Sequence, residues 1–247
     1  MRRQRDDIAI GVVGRFSFVC NGVELAVPPA AQRPLAYLAT ASRPVSRMTM
    51  AGRIWPNTRM SDALDKLRKA VWRVNSLTRD PALVNVATIQ LAPYSRVDLA
   101  EAREVASQLF DDADMHRAAS CAHLFEEDLL IHWDDEWLEE HRHRYHLLRL
   151  HALEHMTQQH LATRQLIDAE RTCLSIVRDD PLRESARLLL AEIYLLQHHP
   201  ARAMRGLNEY QAMMESQLGL RVGGDVRKAI DSIGIMGTRS HDDGRLG

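Results

Sequence analysis

Apolar residues recur at every second position in the first part of the chain. Ile8, Ile10 and Val12, then Phe16, Phe18 and Cys20, then Val23, Leu25 and Val27 have the spacing of strands with one buried face. Asn21-Gly22 stands between the last two runs, and both residue types tolerate the positive φ of a type I′ hairpin turn. These runs predict a small antiparallel sheet ended by Pro28-Pro29. Residues 30–41 then carry Leu35, Leu38 and Ala39 at helical spacing, with a break at 42–44. Ser46 suits the N-cap of a second short helix over 47–55, whose apolar residues are Met48, Ala51, Ile54 and Trp55. Beyond Pro56-Asn57, Ser61 is placed to cap a third helix that reaches about Leu77. Its Leu64, Leu67, Val71 and Val74 form one apolar stripe. Asp80-Pro81 stops this helix, and 83–91 reads as two short strands turning near Ala87-Thr88.

Sheet, three helices and a closing hairpin is the order of a winged helix, in which the third helix enters the major groove and the hairpin lies along the backbone or minor groove. From Asp98 the strand signals cease. Amphipathic helices follow at 100–110, 118–125, 136–162, 167–178, 182–196, 201–217 and 226–233. Ala169 and Ala203 lie 34 residues apart, each opening an apolar helix face, with Asp180-Pro181 between them; this is the period of tetratricopeptide repeats. The expected fold is an α+β winged-helix domain at 1–97 followed by an all-α, tetratricopeptide-like domain at 98–235. Residues 236–247 form a polar, glycine-bearing tail that reads as disordered.

The net charge of −1 conceals a partition. Residues 1–97 hold 15 Lys and Arg against 6 Asp and Glu, a balance of +9, and the remainder holds 17 against 27, a balance of −10. All 12 histidines follow Val97. A domain at +9 suits the replacement of counterions along a phosphate backbone. A chain of 247 residues accommodates two domains, each with its own core. No apolar run approaches the roughly 20 residues of a membrane span, and the apolar stretch near the start is too short for a signal peptide. These features predict a cytoplasmic protein without a membrane partner. Cys20, Cys121 and Cys173 are far apart and odd in number, which reads as reduced, small core residues.

The third helix carries most of the candidate chemistry. At about 100° per residue its apolar stripe leaves Lys66, Lys69 and Arg73 together on the opposite side. Long cations there reach phosphate oxygens, and arginine can bind guanine in bidentate fashion. Arg59 before the helix and Arg68 on its flank are placed to add phosphate contacts, and Ser46 and Arg47 at the start of the second helix join the same candidate DNA-binding set. Asp62 and Asp65 on this side either meet the helix N-terminus or accept a hydrogen bond from cytosine. Trp72 reads as half-exposed, packed under the wing or against a second protomer. The plain alternative for the whole face is a solvated helix surface; its place as third helix in a basic winged-helix pattern favours DNA.

His151, Glu154 and His155 have the H-x-x-E-H form of one class of zinc peptidase, but no motif places a third ligand. With histidines so frequent on helices, pairs at i and i+4 arise by chance. No phosphate-binding glycine loop or nucleophile elbow is present. The reading is a non-enzyme without metal or cofactor. His141, His143 and His146, interleaved with Arg142 and Arg144, read as a polar helix face suited to pH sensing or acidic groups.

The stretch PVSRMTMAGRIWPNTRMSDALDKLRKAVWRVN (44–75) resembles the second and third helices of the Streptomyces antibiotic regulatory protein family. GRFSFVCNGVELAVPPAAQRPLAYLA is similar to that family's opening strands and first helix, and LLIHWDDEWLEEHRHRYHLLRLHALEHM and DDPLRESARLLLAEIYLL to its bacterial transcriptional activator domain. The likeness spans 8 to about 235. It implies binding to double-stranded DNA at promoter repeats as side-by-side protomers, a homodimer on DNA, with recruitment of RNA polymerase to activate transcription. It points to Lys66, Lys69 and Arg73 as the recognition face, adds Arg33 near the start of the first helix, and makes His151 and His155 ordinary positions on a long helix. Four departures stand out. Asn75 replaces a frequent arginine and so removes a phosphate contact. The 84–91 hairpin lacks the family's glycines, residues 217–223 are altered, and no ATPase module follows. A protein-interaction adaptor whose winged helix binds DNA weakly or not at all is the alternative.

Overall fold

The opening alternation forms a sheet as expected. In this computed structural model, which describes residues 5–41, 43–85, 88–110 and 121–242, β1 (Ile8–Gly11) runs antiparallel to β2 (Ser17–Cys20). Ile8 lies opposite Cys20 and Ile10 opposite Phe18, so the buried residues of both strands share a face. Asn21 and Gly22, at φ 53° and 79°, turn the chain into β3 (Val23–Glu24). Val23 departs from the expected inward set and is 60% exposed, because this two-residue edge strand leaves it in water at the hairpin tip.

One strand was not expected. β6 (Arg96–Val97) pairs parallel with β1, giving the order β3-β2-β1-β6. Directly after it Asp98 opens helix α4 (Asp98–Phe110), and its carboxylate accepts the backbone N–H groups of Val12 (2.9 Å), Val13 (2.9 Å) and Leu99 (2.7 Å). Burial pushes this carboxyl above its ordinary pKa, against the pull of the three donors.

Between these elements lie α1 (Pro29–Ala41), α2 (Arg47–Ile54) and α3 (Met60–Asn75), packed around Leu35, Leu38, Met50, Leu67 and Val74. The hairpin follows as β4 (Leu83–Asn85) and β5 (Ile89–Leu91), with Leu83 opposite Leu91. Val45 and Ile89 exchange both backbone hydrogen bonds at 2.9 Å, so the α1–α2 connection pairs with the wing. Ser42 in the break, Val86 and Ala87 at the turn, and 118–120 of the expected 118–125 helix lie outside the described residues. What is described of that last helix is a 3-10 turn, Ala122–Phe125.

Chain segments far apart in sequence meet at the sheet. Gly14, at φ 70°, donates its N–H to the Asp128 carbonyl (2.8 Å), and Leu130 donates to Val12 (3.0 Å). The first compact unit therefore runs from Met1 to Arg149 and the second from Leu150 to Gly247, whereas charge and hydrophobic period change near Val97. A second 3-10 turn (Glu136–Leu138) leads into the long helix α5 (Glu139–Ala162).

In the second unit α6 (Leu166–Asp179), α7 (Glu184–Leu196), α8 (Pro200–Leu218) and α9 (Gly224–Asp242) follow one another. Ala169 and Ala203 each occupy the fourth position of their helix, α6 and α8, and both are buried in a core with Cys173, Leu190, Tyr194, Leu207, Tyr210 and Val226. The 34-residue spacing thus marks equivalent positions in successive helical hairpins. Gly219, at φ 63°, ends α8, its N–H bonded to the Glu215 carbonyl (3.1 Å) and that of Leu220 to Met214 (3.2 Å). α9 continues past Ile233 to Asp242, so 236–242 of the tail read as disordered is helical; once the packed turns around Val226 and Ile233 are formed, adding residues needs no new nucleus. Residues 243–247 lie outside the described part. Among the described residues no helix is long and apolar enough to cross a membrane.

Candidate nucleic-acid interface

Two helices set the geometry. Ser46 caps α2 as its residue type predicts, its hydroxyl accepting the Thr49 N–H at 3.1 Å. Ser61 does not cap α3. The helix begins at Met60, preceded by Arg59, and Ser61 lies inside its first turn with its hydroxyl turned to Asp62. The buried row is Ala63, Leu67, Ala70, Val71 and Val74, while Leu64 is only half-buried. Ala63 and Ala70, outside the expected stripe, join the buried row and let α3 sit close to the core.

The remaining circumference of α3 faces water. Asp62, Asp65, Lys66, Arg68, Lys69, Trp72 and Arg73 are all exposed. At about 100° per residue, Asp65, Lys69 and Trp72 fall on the line farthest from the buried row, Lys66 and Arg73 lie on one shoulder and Arg68 on the other. Lys66 Nζ donates to Thr58 Oγ1 at 3.2 Å, and Arg68 pairs with Asp65 at 3.2 Å. Exposed pairs of this kind contribute only about 0–1 kcal/mol and yield readily to a stronger anion. Lys69, Arg73 and Arg59 form no ion pair among the described residues. Trp72 is 67% exposed and is not covered by the wing.

The other expected residues lie elsewhere. Arg47 is half-buried in the first turn of α2. Arg33 Nε donates to Asp135 Oδ1 at 2.8 Å and its guanidinium stacks 5.4 Å from the Trp133 ring centre, so this arginine joins α1 to the 133–137 segment and is not part of the α3 face.

The wing segment 83–91 holds no charged residue. Asn75, whose residue type removes the expected phosphate contact, holds this segment in place: its side-chain carbonyl accepts the Leu83 N–H at 2.9 Å and its Nδ2 donates to the Leu83 carbonyl at 3.0 Å. The carboxamide mimics a backbone partner for the first wing residue, and Leu83 is buried. Asn75→Ala leaves both groups without their partner, and its expected cost is about 1–3 kcal/mol of stability. Chemical denaturation of parent and variant measures it, and an unchanged midpoint would remove Asn75 from this role.

The histidine motif is otherwise engaged. Glu154 accepts Arg183 Nε at 2.7 Å and Nη2 at 2.8 Å, together with the Ser185 hydroxyl. Among the described residues no group of three or more His, Cys, Asp or Glu is placed to hold a metal ion. Of the histidine-rich face, His146 Nδ1 meets Asp128 Oδ2 at 3.0 Å. Burial, then the charges of Arg103 and Arg144, push the His141 pKa below its ordinary value, so this ring is neutral at neutral pH.

The model of one protein family, the bacterial transcriptional activator domain, matches residues 91–233. The chain belongs to this family. Among solved structures it is similar to Mycobacterium tuberculosis EmbR in complex with a low-affinity phosphopeptide, with a TM-score of 0.76 and 18% sequence identity. The likeness covers 94% of this chain and 66% of that one, so the chain spans just under two thirds of the EmbR chain's length. At this identity the likeness speaks for the fold, a winged helix followed by tetratricopeptide-like helices, as the hydrophobic pattern predicts. No curated protein sequence matches. The resemblance to Streptomyces antibiotic regulatory proteins is borne out in the activator domain and in the fold.

Proposed function

We propose that the chain is a sequence-specific regulator that binds double-stranded DNA by laying α3 in the major groove and activates transcription by recruiting RNA polymerase. The observation that carries this reading is the outer face of α3, where Lys66, Arg68, Lys69 and Arg73, with Arg59 just before, oppose only Asp62 and Asp65 on an otherwise basic domain. Lys69 and Arg73 supply base-edge or phosphate contacts. Arg59, Lys66 and Arg68 neutralise flanking phosphates, and Ser46 and Arg47 approach the backbone from the start of α2. Arg33 acts from a distance by holding α1 against the 133–137 segment. Residues 1–97 form the DNA-binding part and 98–235 the activating part. Protomers bind side by side on promoter repeats in the cytoplasm, without metal, cofactor or catalytic step.

Fluorescence anisotropy across a salt series tests this reading, with a duplex selected by the protein from a randomised library as probe. Affinity falls steeply with salt, and Lys69→Ala or Arg73→Ala lowers the log–log slope by about 1 for each phosphate that is no longer neutralised. Slopes equal to that of the parent would place DNA elsewhere. The wing without charge favours a second reading, an adaptor in which the helical part binds protein and the winged helix only docks. A preparation that enriches no duplex at low salt yet retains a protein partner would select it.

A further inference from the structure

Trp72 is the largest side chain on the outer face of α3, and at 67% exposure it leaves most of an indole in water. Trp133 and Trp137 differ sharply: they pack edge to face with ring centres 6.5 Å apart, and Trp137 is 7% exposed. Trp72 shares the outermost line of α3 with Lys69 and Asp65, between the cations of both shoulders. A second copy docked there through the same face would set like charges against one another, as an isologous contact repeats each residue across its axis. A polyanion is attracted by the four cations of this face and opposed only by Asp62 and by Asp65, which pairs with Arg68 at 3.2 Å. Duplex DNA also offers an apolar partner within the groove, because the thymine 5-methyl group projects into the major groove beside the base-edge acceptors.

Resting on the DNA-binding reading above, we infer that Trp72 is a specificity-determining residue, its indole face packing on thymine 5-methyl groups while Lys69 and Arg73 hold the flanking edges and phosphates. This explains a tryptophan kept in water on the free protein: its apolar surface is covered when α3 enters the groove. The contact removes no phosphate charge, so it adds affinity without adding salt dependence.

The test uses the full chain and the duplex it selects from a randomised library. Trp72→Ala weakens binding about tenfold or more with an unchanged salt slope, and Trp72→Phe recovers part of that affinity. Replacing the thymines of the selected site by deoxyuridine, which lacks the methyl group, weakens the parent several-fold and leaves Trp72→Ala unaffected. Because the side chain is exposed, both variants keep the parent's melting temperature. Equal binding by parent and Trp72→Ala, or equal binding of thymine and deoxyuridine duplexes by the parent, would overturn the inference alone and leave α3 as the DNA-binding helix. Failure of the parent to enrich any duplex would overturn both. A change in oligomeric state on Trp72→Ala, with affinity per protomer unchanged, would assign the indole to a protein contact instead.

Discussion

Replacing Arg183 by alanine is expected to lower stability by about 3–5 kcal/mol at neutral pH, with a loss that shrinks in acid. Arg183 and Glu154 expose only 15% and 14% of their side chains, and the guanidinium engages both carboxylate oxygens. Removing the cation strands a largely buried carboxylate with the Ser185 hydroxyl as its remaining side-chain donor. Burial alone pushes the Glu154 carboxyl up, but the hydrogen bonds of Arg183 and Ser185 and the charge of Arg183 outweigh it and hold the pKa below the ordinary glutamate range. A group whose pKa is depressed by folding contributes stability above its unfolded value and loses it as pH falls through the folded one. In the variant the burial effect is left with little opposition, so Glu154 takes up its proton at higher pH and the penalty for the stranded charge disappears on acidification. Denaturant titrations of parent and variant at pH about 7 and about 4 measure this; a pH-independent difference, or one below about 1 kcal/mol, would show that the pair is not a structural tie.

The same pair shows what periodicity and motif reading cannot resolve. His151, Glu154 and His155 match a zinc-site pattern over five residues, but Glu154 is claimed by an arginine 29 positions away. No local pattern carries that information. Asn75 and Arg33 are of the same kind, since each has partners set by tertiary contacts, at Leu83 and Asp135. Strand β6 leaves no local signal because two residues carry no periodicity, and its pairing sets Arg96 opposite Ala9 and Val97 opposite Ile10, far earlier in the chain. Ser61 has the right residue type for a cap, but the chain enters the helix two residues sooner, at Met60 with Arg59 in the cap position. What was legible rests on repetition over many residues: the alternation of β1 and β2, the apolar row of α3, and the Ala169 and Ala203 spacing. The cationic face of α3 was legible for the same reason, being the complement of a buried row. Its outermost line was not, because Ala63 and Ala70 shift the buried row toward one side and leave Trp72, expected to be half-exposed, 67% exposed.

Reversing two charges on that face has the largest expected effect on function. Lys69 and Arg73 are exposed, so Lys69→Glu with Arg73→Glu leaves the core untouched and the melting temperature close to that of the parent. The substitutions remove two cationic contacts, each worth about 1–3 kcal/mol where it reaches a base edge, and place two carboxylates against phosphate. A drop of about a thousandfold in affinity for the selected duplex follows. The decisive measurement is an anisotropy titration, near physiological salt, of the selected duplex and a scrambled duplex of equal length against the parent and this double variant. The parent should prefer the selected sequence about a thousandfold or more, and the double variant should lose both that preference and most of its affinity while remaining folded. A folded double variant that binds the selected duplex as tightly as the parent would contradict recognition of DNA through α3.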